Sequence, residues 1–391
     1  MGKLLAYVGI GDGPNGGGID VFEIAPDGSA ITKIDGGVAP NPQYAGFLAL
    51  ADNKKVLYAV DERKDAGRND KNPTCVYAYQ IDKATGALKE INKKPTLGCS
   101  TSSVCVSPDE RYIYTATHGK FDHVIKIVET TDGKFVNQFV YDDACVGMYP
   151  INEDGSLEDA CDCFMLTGHG MDPCPSPQAG GHSQASPHAH IVVVDPSGKF
   201  VACCDKAAER VYIFKITDGQ IVLASVFQAP LRVGPRHCAF DNNGHMFMTS
   251  EFSSEIWSFN FDSETGILSF ADKQSTVEEG FTKRNELATV QITPDGKYVY
   301  VNNRGADTIV GYAIAADGTL TKVWTESVGK TPADPKDGIR DMQLLPDGKT
   351  LIVPVRPDNV LRAYAVGEDG SLTAGVECPA SNPVFICLCQ L

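Results

Sequence analysis

Two short stretches put ionisable side chains where chemistry could be done. Ser186-Pro187-His188-Ala189-His190 and Gly234-Pro235-Arg236-His237 open two near-copies of one strand-turn-strand unit, and the second copy closes on Glu251. Histidine transfers protons near neutral pH, arginine holds an anion or a developing oxyanion, and a carboxylate can pair with either or take a proton itself. The spacing between the two stretches is that of a structural repeat, so the elements that position these residues come from the repeat.

Turns of the Pro-Asp-Gly-Lys type recur before alternating apolar strands. Their glycines, Gly198, Gly244, Gly296 and Gly348, lie 46, 52 and 52 residues apart, and weaker copies stand at Ala51-Asp52-Asn53-Lys54 and Ser107-Pro108-Asp109-Glu110. Period-2 strands flank each turn, as in Ile191 to Val194 and Phe200 to Cys203. A second hairpin signal follows in most units, at Thr85-Gly86, Asp218-Gly219, Thr265-Gly266, Asp317-Gly318 and Asp369-Gly370. A period near fifty with two hairpins per unit describes four-stranded propeller blades. Six complete inner hairpins are present, and the chain ends supply a seventh. Leu4 to Val8 matches a second strand lacking its first, and Asn382 to Leu388 matches a first strand lacking its second. The expectation is one all-β domain over residues 1–391, a seven-bladed β-propeller of four-stranded antiparallel blades. Its ring is closed by pairing the N- and C-terminal strands in one blade.

The ruler breaks once. Glu110 and Gly198 stand 88 positions apart, which predicts an outer hairpin plus a Cys-rich insertion over residues 141–185 carrying Cys145, Cys161, Cys163, Cys174, His169 and His182. Those residue types suit zinc, but the paired Cys-x-x-Cys spacing is missing, and the expectation is no metal. Gly11-Asp12-Gly13-Pro14-Asn15-Gly16 matches a dinucleotide fingerprint. The alternating strand Ile19 to Ile24 follows it, however, where that fingerprint requires a helix.

The ruler also places side chains. Eight residues past the turn come His118, Lys206, Arg304 and Arg356, with Glu251 seven past Gly244; eight residues back come His190, Arg236 and Arg340. Antiparallel pairing sets the end of one strand beside the start of the next, so both groups fall on one face of the ring, at the mouth of the central channel. That mouth is expected to be cationic. Ion pairing with neighbouring carboxylates accounts for any single arginine, whereas a cluster of arginines with a histidine pair points to an anionic ligand.

Composition sets the outer limits. A formal net charge of -16, from 34 basic and 50 acidic residues, argues against nucleic acid or an anionic membrane as partner. The N-terminal apolar run is too short for a secretory leader, and no run approaches membrane-spanning length. The 13 cysteines are an odd number, consistent with reduced thiols in a cytoplasmic protein.

The motifs Pro187-His188-Ala189-His190, Gly234-Pro235-Arg236-His237, Glu251-Phe252-Ser253-Ser254 and Asn303-Arg304-Gly305 resemble those of a family of seven-bladed propellers. The family comprises bacterial 6-phosphogluconolactonases and fungal carboxy-cis,cis-muconate cyclases. The resemblance covers essentially the whole chain and implies His188, Arg236, Glu251 and Arg304 as catalytic residues. His190, His237, Lys206, Arg340 and Arg356 are then expected to bind substrate, and His190 fits the register better than His188. The implied reaction is hydrolysis of a sugar-acid lactone with a small anionic substrate, with Glu251 or His188 as base on a water. Muconate cyclisation is the alternative enzyme reading, and a non-catalytic binding platform the alternative outside catalysis. Neither reaction calls for a metal or an organic cofactor. Oligomeric state is not readable from the sequence.

Overall fold

The computed structural model describes residues 2–11, 17–35, 39–63, 71–119, 124–170, 184–332 and 334–391. They form seven four-stranded antiparallel sheets and one separate two-stranded hairpin, and two short 3-10 turns are the only helical pieces among them. No helix among the described residues is long and apolar enough to cross a membrane.

Each sheet is one blade, and the inner strands form the channel wall. In order from the closing blade they are Pro383–Gln390, Ala45–Ala51, Thr101–Val106, Ala189–Val194, Pro235–Phe240, Glu286–Ile292 and Gln343–Leu344, of blades 1 to 7. Blade 1 is completed by the two chain ends, as expected. Leu4–Ile10 pairs on one side with Gly18–Ile24 and on the other with Pro383–Gln390, from Leu4 opposite Gln390 to Ile10 opposite Pro383. Gly18–Ile24 is a strand, which removes the helix a dinucleotide fingerprint would need; Asp12 to Gly16 lie outside the described residues.

The core lies between blades, where apolar faces of neighbouring sheets meet. Between blades 4 and 5, for example, Ile191, Ala202, Cys204, Val211 and Ile213 pack against Cys238, Met246, Met248, Trp257 and Phe259. A recurrent polar stitch crosses the same seams. Tyr7 donates to the Gly86 carbonyl, Tyr58 to that of Gly155 and Tyr300 to that of Gly370, each at 2.9 Å. Each tyrosine sits in a second strand and each glycine in the outer turn of the next blade. The turn needs its glycine: Gly155 has φ +83°, and a Cβ there would stand 2.4 Å from Val56 Cγ2.

Blade 3 corrects the expected insertion. Ala144–Pro150 and Asp162–Leu166 are the two outer strands of that blade, paired to Tyr112–Thr117 in the order of the other sheets. The additional structure lies elsewhere. One part is the hairpin of Val124–Glu129 and Phe135–Val140, inserted between the second and third strands; the other is the connection that follows Leu166, of which 171–183 lie outside the described residues. The turn signals of this hairpin, Asp132-Gly133, resemble those of a blade, which is why counting turns misplaced the surplus. Among the described residues no group of three or more His, Cys, Asp or Glu is arranged to hold a metal, and the twelve described cysteines are free thiols. Cys174 and His182 lie outside the described residues.

Candidate active site

The inner strands share a local defect at the end where they begin. In blades 2 to 5 the pairing slips by one residue, leaving Gly46, Ser102, His190 and Arg236 as the extra residue of a β-bulge. Val384 is the extra residue in blade 1, and blade 6 slips between Leu287 and Val290. A bulge turns its side chain away from the pleat. Five of these bulged residues, Gly46, Ser102, His190, Arg236 and Val384, line one opening together with Phe47, Glu62, His237, Arg340, Asp341 and Phe385. The free space within it is small, about 20 Å³.

The second strands end beside these starts and deliver one side chain per blade: Glu62, His118, Lys206, Glu251, Arg304 and Arg356 in blades 2 to 7. Their centre is Glu251, which is 1% exposed. Lys206 Nζ lies 3.0 Å from its Oε1, Arg236 Nε 2.7 Å and Arg304 Nη2 3.2 Å from its Oε2. The Arg236 contact is a close ion contact without the alignment of a hydrogen bond. Arg304 also reaches Glu286 Oε2 at 3.2 Å, and Arg284 pairs with the other oxygen of Glu286 at 2.5 Å. Arg340 pairs with Glu62 at 3.6 Å and lies over the Tyr44 ring.

Supporting contacts hold these groups in place. The buried Asp205 carboxylate accepts from the backbone N–H groups of His188, Ala207 and Ala208, fixing the segments on either side of Lys206 and His190. Burial raises the Asp205 pKa despite those bonds. Glu209 accepts from the N–H groups of Arg232 and Gly234 and so sets the approach to Arg236. Asn303 bonds Thr276, Asn285 and Thr308, and Gly305 follows with φ +120°, where a Cβ would meet the Arg284 carbonyl at 2.3 Å.

Burial and the cations tune the site. Burial, with Arg236 and Lys206 nearby, holds His190 well below its ordinary value, so the imidazole is neutral at pH 7; no hydrogen-bond partner meets its Nδ1. His237 is pushed down to about 3 by burial and Arg236. Burial lowers Lys206, and it lowers Arg236 to about 10 with help from Arg304. Asp341 moves the other way, raised to about 7 by burial. It accepts from the Ile386 N–H at 3.1 Å. Phe47, Phe385, His237 and Asp341 line both the opening and the channel beneath it, forming the floor between the two. The Phe47 and Phe385 rings are 3.9 Å apart, and Phe47 stacks on His237 at 6.4 Å.

The structure therefore gathers Lys206, Arg236, Glu251 and Arg304 into one cluster and brings His190, His237 and Arg340 to the opening above it. His188 is placed differently: its ring is fully buried and stacks on His118 at 4.4 Å. Arg356 is turned to the rim, donating to Asn382 Oδ1 and the Lys336 carbonyl. Nor is the mouth simply cationic. Lys206, Arg236 and Arg304 are met by Glu251 and Glu286, Arg340 by Glu62 and Arg356 by Asp337, five cations against four carboxylates. Sequence reasoning missed Glu62, Glu286, Asp341, Phe47 and Phe385. Glu62 was within reach, because it follows Lys55 by seven residues as Glu251 follows Gly244. The turn at Lys55 has φ +53° but no glycine to announce it.

A closed ring of four-stranded blades with a buried ionic cluster at its channel mouth defines a class by architecture, the seven-bladed β-propeller. The chain belongs to the lactonase, 7-bladed beta-propeller family, whose profile matches residues 5–388. It is a lactonase-class enzyme, and lactone hydrolysis is the chemistry of the class. The 6-phosphogluconolactonase of Bacillus subtilis (strain 168) is 25% identical over 316 residues, 80% of this chain and 78% of that protein. The periplasmic gluconolactonase of Pseudomonas aeruginosa superposes with a TM-score of 0.81 at 22% identity, covering 99% of each chain. A putative 6-phosphogluconolactonase from Bacteroides fragilis gives 0.80 at 22%, covering 99% of this chain and 98% of that one. At such identities these two structures speak for the fold alone.

Proposed function

We propose that the protein hydrolyses the lactone of a phosphorylated sugar acid, as a 6-phosphogluconolactonase does, at the opening lined by His190, Arg236 and Arg340. The observation that carries this reading is that one small opening presents a neutral imidazole and two guanidinium groups together. His190 takes a proton from a water as its oxygen bonds to the lactone carbonyl carbon. Arg236, with Lys206 behind it, stabilises the oxyanion that forms. The ring C–O bond then breaks, and the proton returns from His190 to the departing alkoxide. Arg340, held against Tyr44, binds the distal phosphate, and the Phe47–Phe385 wall takes the C–H face of the ring.

Glu251 has a different role from the base considered on sequence grounds. Both of its oxygens are engaged by cations, so it organises Lys206, Arg236 and Arg304 in position. His188 supports His190 from below through the stack on His118. A second reading, cyclisation of a carboxymuconate, is favoured by one observation: the aromatic floor of Phe47 and Phe385, whose ring centroids are 3.9 Å apart, suits an unsaturated diacid as well as a sugar ring. Steady-state assays with the phosphorylated lactone and with 3-carboxymuconate separate the two. Turnover of the lactone above its spontaneous hydrolysis is expected. Turnover of the muconate alone replaces the first reading with the second, and turnover of neither overturns both substrate assignments.

A further inference from the structure

Glu62 lines the opening and takes no part in the proposed hydrolysis. Its carboxylate occupies a place that blade 2 leaves empty. Four of the five bulged residues at the opening bring a side chain, and the fifth is Gly46, which brings none. A Cβ on Gly46 would stand 2.3 Å from Glu62 Oε2 and 2.7 Å from Glu62 Cβ, so the glycine makes room for the carboxylate.

Glu62 is held more loosely than the other carboxylates of the mouth. Glu251 and Glu286 are 1% exposed and closely paired, whereas the side chains of Glu62 and Arg340 are each 19% exposed. Arg340 Nη1 is 3.6 Å from Glu62 Oε2, an ion contact too long for a hydrogen bond. The opposite edge of the guanidinium is committed: Nε and Nη2 donate to the Lys336 carbonyl at 3.4 and 3.3 Å, and the Tyr44 ring covers one face. The end left for a ligand is Nη1, the end beside Glu62.

That juxtaposition bears on the choice of substrate. A phosphate group carries close to two negative charges at neutral pH, and seated at Nη1 it meets Glu62 as a like charge in a part-buried place where salt screens little. A sugar hydroxyl in the same place donates to Glu62 and accepts from Arg340, two charge-assisted hydrogen bonds. The pair is neutral as a whole, so it attracts an anion less than the guanidinium alone would.

We infer that Glu62 is a specificity-determining residue: it holds down the affinity for a phosphorylated lactone and supports that for the unphosphorylated sugar lactone. This role presupposes lactone hydrolysis at this opening with Arg340 as the phosphate ligand, as proposed above. The test compares wild type with Glu62→Gln, which keeps the shape and removes the charge, on 6-phosphogluconolactone and on gluconolactone. The ratio of kcat/KM for the phosphorylated over the unphosphorylated lactone is expected to rise about tenfold in the variant, with KM for the phosphorylated lactone falling. The inhibition constant of inorganic phosphate should fall by a similar factor. An active wild type whose ratio or phosphate inhibition is unchanged in the variant overturns the role of Glu62 alone. A wild type that turns over neither lactone overturns the proposed function, and the role of Glu62 falls with it.

Discussion

At the scale of residues, the site is arranged by burial and charge together. Glu251 touches three cations, so removing it leaves Lys206, Arg236 and Arg304 crowded without their shared partner. Glu251→Gln is expected to lower stability by roughly 3 kcal/mol as well as activity, because uncompensated buried charge is costly; thermal unfolding beside kinetics measures both. The proposed function gives Arg340 the substrate's phosphate: Arg340→Met should then raise KM for the phosphorylated lactone about tenfold or more with kcat little changed, and a fall in kcat at constant KM would contradict the role. Asp341 supplies a pH signature. Burial raises its pKa from 3.8 to about 7, so the unfolded chain ionises it first. The stability tied to this group is intact below pH 4 and is lost as pH rises through about 7. Asp341→Asn escapes that loss and should raise Tm by a few degrees more at pH 8 than at pH 5; equal shifts at both would refute it. Most of the cluster was legible in the sequence, because Lys206, Arg236, Glu251 and Arg304 stand at fixed distances from glycine turns. What was not legible depends on contacts between distant blades. His190 fits the register better than His188, but the bulge that turns it to the opening does not show in the sequence, and the floor residues Phe47 and Phe385 read as ordinary strand hydrophobics.

At the scale of elements, two local devices repeat. The first is the bulge at the start of the inner strands, which turns His190 and Arg236 into the mouth while Ile191 and Cys238 remain in the core. Sequence periodicity cannot show it, since a one-residue slip alters the face of a side chain without altering its type. The second is the tyrosine stitch between blades. Tyr58→Phe leaves the Gly155 carbonyl without its partner in a buried seam and should destabilise the fold by roughly 1–2 kcal/mol, measured by denaturant unfolding with an unchanged m-value. Blade 3 shows how turn chemistry misleads: Asp132-Gly133 announces a hairpin correctly but says nothing about whether that hairpin joins the blade.

At the scale of the whole molecule, ring closure makes the site possible. The mouth is assembled from seven blades, with Val384 and Phe385 contributed by the strand that closes the ring. Seven blades and their closure were legible from the glycine ruler and from two unmatched terminal strands. The arrangement of charge across the ring was not, because ion pairs such as Arg340 with Glu62 join residues 278 positions apart. The account stands most directly on His190 as the group that activates water. The decisive measurement is kcat/KM for the phosphorylated lactone in His190→Gln beside His188→Gln, across pH 5 to 8. The expected result is a loss of at least about 100-fold in the His190 variant, carried by kcat, with the wild-type acid limb displaced to well below pH 6.5 and absent from that variant. A His190 variant that keeps wild-type kcat and the same pH profile would contradict it.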